Sequence, residues 1–293
     1  MTESGVINLY KPPGITSHKA VKEVQKILKA KKAGHTGTLD PFAEGVLLVC
    51  INQATRISEY LTGFDKEYLV TAQLGLQTDT FDITGKVIKE TDPGGIKEDD
   101  LKAVLENFRG EIEQIPPLFS AIKKNGIPLY KYARKGITVE LKPRLVNIYE
   151  IELVKFNLPY AIIRVSCSKG TYIRSLIHDI GRELLVGATV KELKRIAIGK
   201  FHIKEADTIE SIKAGQYHLY SLNESLSHLP FLLLNNNQLR LAVNGTGFAI
   251  DKMGEPGDII RLLDRNGNFI GIGRIAGNNF LKIQKIIKDN KKT

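Results

Sequence analysis

The chain has 293 residues, a length that suits two domains better than one and leaves ample room for a buried core. Its 42% hydrophobic and 25% charged content is that of a soluble globular protein, and no apolar run nears the roughly 18 residues a membrane span needs. A formal net charge of +10 favours a polyanionic partner. The amino terminus, MTESGVINLYKPPG, lacks the basic-then-apolar layout of a secretion signal, so the cytoplasm is the expected location. Cys50 and Cys167 are far apart, with no paired histidine at ligand spacing; this argues against a zinc site or a disulfide, and both read as buried hydrophobes.

Gly5 to Tyr10 reads as a short strand stopped by Lys11-Pro12-Pro13-Gly14. Thr16 or Ser17 can cap the next helix, in which Ala20, Val21, Val24, Ile27 and Leu28 recur at helical spacing. That helix is expected to run to Lys31 and Lys32, whose cations suit its negative end. Gly34 to Val49, GHTGTLDPFAEGVLLV, follows as a tight polar loop feeding a buried strand. Gly34 and Gly37 allow a positive φ or close backbone approach, Pro41 biases Asp40 away from the helical region, and Val46 to Ile51 reads as a central strand. Asp40 is thereby displayed on a rigid loop, either to start a turn or to do chemistry.

Ala54 to Leu61 suits a short helix. Glu67 to Leu74 alternates, with Tyr68, Val70, Ala72 and Leu74 on the more apolar face, so Tyr68 points inward. LGLQTDTFDITG is a polar crossing in which neither Asp79 nor Asp82 can be given a role. Lys86 to Lys89 extends a strand, and Lys97 to Phe108 is an amphipathic helix through Leu101, Val104, Leu105 and Phe108. Gln114 to Gly136, with several prolines and a basic tail of Lys131, Arg134 and Lys135, suits either a thumb-like insertion or plain irregular surface. Ile148 to Phe156 and Tyr160 to Cys167 form a hairpin. A helix follows with Ile173, Leu176, Ile177, Ile180 and Leu184 inward. Arg174 lies in its first turn, where the macrodipole disfavours a cation by some tenths of a kcal/mol, so Arg174 either answers to a nearby anion or is exposed. Thr189 to Lys200 reads as a loop and strand closing this region, and Thr208 to Leu229 as short helical pieces. Beyond Pro230 come short strands around an Asn266-Gly267 turn, the texture of a small barrel.

The positive charge is uneven. Lys11 to His35 holds seven lysines against Glu23, and Pro230 to Thr293 holds ten basic against five acidic residues. Two such patches match the electrostatic footprint of an extended nucleic acid, or else a solvated helix face and a basic tail. The last residues, Lys288 to Thr293, read as frayed.

Four segments in register, YKPPGITSHKAV, GHTGTLDPFAEGVL, KEYLVTAQLGLQTDTFDITG and CSKGTYIRSLIHDIG, resemble the TruB family of tRNA pseudouridine synthases in its bacterial form. The resemblance implies an α+β fold: a mixed, mainly antiparallel sheet with flanking helices over residues 1–229, then a PUA-like β-barrel RNA-binding module over 230–293. It implies isomerisation of the T-loop uridine of tRNA (uridine 55) to pseudouridine by a monomer, with no cofactor and no metal. Asp40 aligns with the catalytic aspartate, as nucleophile or base; Tyr68 with the tyrosine stacked on the target base; and Arg174 with the arginine that pairs with the aspartate. His35, Tyr172 and Lys11 fall among the substrate and RNA-binding positions, His35 as the wedge that replaces the flipped base and Lys11 as a support of the loops. Other readings are a non-catalytic RNA-binding or RNA-folding protein, a pseudouridine synthase acting on another RNA, and a hydrolase using Asp40 with His35, which lacks a second acid or base.

Overall fold

The computed structural model describes residues 3–287 apart from 121, 125, 134, 138, 252 and 278; Arg134 of the expected basic tail and the Lys288 to Thr293 end lie outside the described residues. In chain order the first half forms β1 (Gly5–Lys11), α1 (Ser17–Ile27), β2 (Ala33–His35), β3 (Glu44–Ile51), α2 (Ser58–Thr62), β4 (Lys66–Leu74), β5 (Leu76–Thr78), β6 (Val87–Glu90), α3 (Glu98–Glu106) and β7 (Gly110–Gln114). Then come β8 (Lys123–Lys124), β9 (Ile127–Pro128), α4 (Leu129–Ala133), β10 (Arg144–Asn157), β11 (Tyr160–Cys167), α5 (Ile173–Glu183), β12 (Ala188–Ile198) and β13 (Phe201–His202). The chain ends through α6 (Ile209–Lys213), α7 (Leu222–Ser225), β14 (Phe231–Leu233), α8 (Asn236–Val243), β15 (Phe248–Ala249), β16 (Ile259–Leu263), β17 (Phe269–Ala276) and β18 (Phe280–Ile286).

Among the described residues, nine strands make one sheet in the order β1-β3-β12-β4-β11-β10-β7, with β2 added to β3 and β13 to β12. All its pairings are antiparallel except that of β3 with β12. The expected mixed, mainly antiparallel α+β sheet is what forms. β3 is buried on both faces, which is why its sequence is a continuous apolar run instead of an alternation. On one side Leu47, Val49 and Ile51 meet Ala20, Val21 and Val24 of α1 and Ile209 and Ile212 of α6. β4 alternates as its sequence does, and Tyr68, Val70, Ala72 and Leu74 pack under α3 and α5.

Two expectations need correction. Thr189 to Lys200, expected as a loop and strand closing the region, is strand for nearly its whole length and central: β12 has eleven residues and lies between β3 and β4. Register shifts after Val190 and after Arg195 throw its side chains out of phase, which hides the period-two pattern from a sequence reading. The α1 helix is capped by the Thr16 side chain, as its sequence suggests, but ends at Ile27, because Lys29 turns into the left-handed region at φ 50°.

The second sheet, β14-β16-β17-β18-β15, contains the hairpin around Asn266-Gly267 and encloses Leu234, Ile260, Leu262, Ile275 and Leu281. It does not stand apart. Leu263, Phe269, Ile272 and Ile287 share a core with Val6, Val46, Leu48 and Cys50 of the first sheet. Arg261, itself buried, donates to the Leu229 carbonyl, and Lys285 pairs with Glu59, so two cations of the carboxy-terminal basic patch tie the second sheet to the segment after α7 and to α2.

Phe269→Ala should therefore destabilise the whole protein by about 3–5 kcal/mol while leaving one unfolding transition. Denaturant unfolding followed by far-ultraviolet circular dichroism and by tyrosine fluorescence tests this; two separated transitions would contradict the shared core.

Candidate active site

Asp40 sits between β2 and β3 in a loop whose polar backbone groups cannot pair within a sheet, so side chains from elsewhere must take them. Three do. Lys11, at the end of β1, donates its Nζ to the carbonyls of Pro12 at 2.9 Å, Ile15 at 2.9 Å and Pro41 at 3.4 Å. Ser17, at the start of α1, brackets Leu39: its hydroxyl donates to the Leu39 carbonyl at 2.9 Å and accepts from the Leu39 amide at 2.8 Å. Arg195, from β12, donates Nε to the Val46 carbonyl at 2.8 Å and its terminal nitrogens to the carbonyls of Thr38 at 3.3 Å and Gly37 at 3.2 Å. The glycine this arrangement requires is neither Gly34 nor Gly37, which avoid the left-handed region and have no close neighbour where a Cβ would stand. It is Gly45, at φ +109°, where a Cβ would lie 2.2 Å from the Arg195 carbonyl oxygen.

The loop delivers Asp40 to Arg174 on the first turn of α5. Arg174 Nε lies 2.8 Å from Asp40 Oδ2, though off-line for a hydrogen bond, and a terminal nitrogen donates to Oδ1 at 3.2 Å. The same guanidinium donates to the carbonyls of Thr80 at 2.9 Å and Phe119 at 2.8 Å, and lies 3.4 Å from Asp82 Oδ2. The cation that the helix dipole disfavours thus answers to two carboxylates and two carbonyls. Arg174 is 4% exposed, whereas 32% of the Asp40 side chain remains open, which makes Asp40 the reachable member of the pair. Burial pushes the Asp40 carboxyl above its ordinary value; Arg174 and Lys11 pull it down, and the Asp82 charge pushes it up.

Tyr68 on β4 is the cross-strand neighbour of Arg195. Burial raises the Tyr68 phenol above its usual value, Arg195 opposes the rise, and the Asp40 charge adds to it. Tyr172 caps α5: its amide donates to Gln114 Oε1 at 2.7 Å and its carbonyl accepts from Gln114 Nε2 at 3.1 Å. Burial raises its phenol too. His35, on β2, has a buried Nδ1 without a partner among the described residues, and burial, then Arg195 and His18, lower its pKa, which favours the neutral ring.

Asp40, Arg174, Tyr68 and Tyr172 are thus brought together around one site. Lys11 is fully buried, with its ammonium hydrogen-bonded to carbonyls on both sides of the loop. Sequence reasoning missed Asp82, Arg195 and Gln114. For Asp82 a signal existed: threonines two residues either side, whose hydroxyls both donate to its Oδ1. Arg195 stands in a basic run that reads as surface, and nothing local marks it.

Comparison with known proteins matches residues 25–173 to the N-terminal domain of TruB family pseudouridylate synthases, and 174–235 to the tRNA pseudouridylate synthase B C-terminal domain. The chain is 44% identical to a tRNA pseudouridine synthase B of Clostridium tetani, over 97% of this chain and 99% of that one. It is 40% identical to that of Stutzerimonas stutzeri, over 97% and 96%. Among solved structures it resembles a chain of an H/ACA RNP bound to a substrate RNA containing 2′-deoxyuridine, with 26% identity, TM-score 0.74 and coverage of 98% and 86%. It also resembles a chain of the archaeal box H/ACA sRNP Nop10-Cbf5 complex, with 25% identity, TM-score 0.75 and coverage of 99% and 88%. The loop-held aspartate paired with a helix-start arginine thus lies in a chain that belongs to the TruB family of pseudouridylate synthases.

Proposed function

We propose that the protein is a tRNA pseudouridine synthase that isomerises the T-loop uridine of tRNA (uridine 55) with Asp40 as the nucleophile. The observation that carries the reading is the Asp40 carboxylate held 2.8 Å from a buried arginine yet left a third open to a ligand. Such a carboxylate can attack C1′ of the ribose, add to C6 of uracil, or take the C2′ proton, and needs no cofactor or metal for any of these. Arg174 opposes the effect of burial and favours the ionised form of Asp40. Tyr68 packs against the target base, and Tyr172, bracketed by Gln114, lines the pocket. A uridine in a folded loop must be extruded at a cost of a few kcal/mol, and His35 offsets part of this by filling its place.

Residues 1–229 act as the catalytic domain and 230–293 as a PUA-like RNA-binding module of a cytoplasmic monomer. No helix among the described residues is long and apolar enough to cross a membrane. On the substrate side the reading draws on charge: Lys19, Lys22, Lys26, Lys29, Lys31 and Lys32 lie on and after α1, next to the His35 loop, where they suit the phosphates of a tRNA T stem-loop.

Asp40→Asn should lower pseudouridine formation to below about one hundredth of the parent while tRNA affinity stays within a few-fold. Residual activity above that level, measured by tritium release from C5-labelled tRNA, removes Asp40 from the role; an unmodified product from the parent itself defeats the whole reading in favour of RNA binding without chemistry.

The raised Asp40 value fixes the sign of the pH dependence. Turnover needs the carboxylate, so it is lost as pH falls through a value above the ordinary aspartate figure of about 3.9. Removing the opposing charge in Arg174→Met should move that acid limb further up; single-turnover rates across pH 4–8 check it, and a downward shift would contradict the pairing.

Binding should weaken steeply with salt. Replacing Lys19 and Lys26 by alanine should reduce the slope of log affinity against log salt by about 0.7–0.9 for each phosphate that is no longer neutralised. An unchanged slope would remove the α1 face from the RNA path.

A further inference from the structure

Phe81 lies between the two residues of the crossing after β5 that meet Arg174: the Thr80 carbonyl accepts from the guanidinium at 2.9 Å, and Asp82 Oδ2 lies 3.4 Å from it. It stands at φ 63°, a left-handed conformation that glycine, asparagine or aspartate takes readily and that is an outlier for a bulky side chain. Such a residue persists only where its surroundings hold it. The backbone does part of this. Phe81 donates its amide to the Thr78 carbonyl at 3.3 Å and its carbonyl accepts from the Val190 amide at 3.0 Å, while the Ile83 amide donates to the Val190 carbonyl at 2.8 Å, so the turn is fastened to β12. None of these bonds needs an aromatic ring.

The ring reaches the other way, to α5. Phe81 stacks on His178 with ring centroids 3.9 Å apart and planes 16° apart. His178 is four residues after Arg174, on the same face of the helix and one turn further along. Its Nδ1 is buried with no partner among the described residues, so no hydrogen bond at that nitrogen orients the imidazole; the contact with Phe81 does. Arg174 and the stack thus join the turn to α5 at two successive levels. One guanidinium sets the distance of the turn from the helix but not its tilt, and a second contact a helical turn away sets the tilt. We propose that Phe81 and His178 are positioning residues, a stacked pair that seats the Thr80 to Asp82 turn on α5 and thereby holds Arg174 in line with Asp40. The proposal rests on the synthase reading of the site. Neither ring takes part in bond making; both act through Thr80, Asp82 and Arg174.

Substitutions that accept the left-handed turn separate the ring from the backbone. Phe81→Gly and Phe81→Asn leave that conformation open to the chain and remove the stack. Both should lower kcat by about 10- to 100-fold with KM for tRNA within about threefold, a loss of the size that a small misplacement of a reacting group brings. Phe81→Tyr and His178→Phe, which keep two rings in contact, should retain kcat to within about threefold. In a His178→Ala background Phe81→Gly should cost less than about threefold more, because a pair that acts as one contact is lost only once. The carbon-bound ring protons of His178 read the contact without turnover: the Phe81 ring shields them, and their resonances should move downfield in Phe81→Gly. Where the glycine variant fails to fold, His178→Ala set against His178→Phe carries the same comparison. A folded Phe81→Gly with kcat near that of the parent, independent costs at the two positions, or His178 resonances that do not move, overturns the inference. A parent that makes no pseudouridine overturns the synthase reading instead, and the resonances still decide the stack.

Discussion

The Arg174 guanidinium is the contact on which the site depends. Buried charge is tolerable only beside opposite charge and hydrogen-bond acceptors, and here these come from separate segments: Asp40 from the β2–β3 loop, Thr80 and Asp82 from the crossing after β5, and Phe119 from the stretch after β7. Neutralising one guanidinium therefore converges three loops on the start of α5. Its removal would leave two carboxylates facing each other in a partly dry pocket, and the loops would separate before the sheet did. Asp82 completes this balance without competing for the substrate, because it is buried and its Oδ1 is occupied by the hydroxyls of Thr80 and Thr84.

The sheet supplies the second half of the geometry. β3, β12 and β4 lie side by side and carry the end of the Asp40 loop, Arg195 and Tyr68 respectively. The parallel pairing of β12 with β3 sets Arg195 beside Gly45, close enough that only glycine fits, and this lets the guanidinium reach back to Gly37 and Thr38. A rigid loop is what a carboxylate nucleophile needs, since small misplacement of an attacking oxygen is expensive in rate. Lys11 and Ser17 perform the same service from β1 and α1, so the Asp40 loop is fastened from three directions.

Much of this is legible in the sequence where a local period or a local cap carries the information. The Thr16 cap, the alternation through Tyr68 and the misplaced cation at Arg174 each have a physical signature a few residues long. β12 has none, because two register shifts break its alternation, and with it Arg195 stays hidden. Gly45 yields to Gly34 and Gly37 in a sequence reading because the need for glycine arises from a strand about 150 residues later, not from the loop itself. Lys11 is named only through the resemblance, as a support of the loops, because nothing local shows that the carbonyls of a Pro-rich turn and of Pro41 hold it inside, at a pKa pushed down to about 8 by burial.

The joined cores bear on how RNA would be held. A module that hung on a linker would find its RNA contacts by tethered search, with the gain set by effective concentration. Here Phe269, Ile272 and Ile287 fill the same apolar volume as Val46 and Leu48, the strand that leaves the Asp40 loop. Arg56 donates to the Ile286 carbonyl, and Lys285 donates to the Arg56 carbonyl while pairing with Glu59, so polar contacts reinforce the join. Packed cores resist continuous deformation, so any RNA contact made by the second sheet is set at a fixed distance from Asp40.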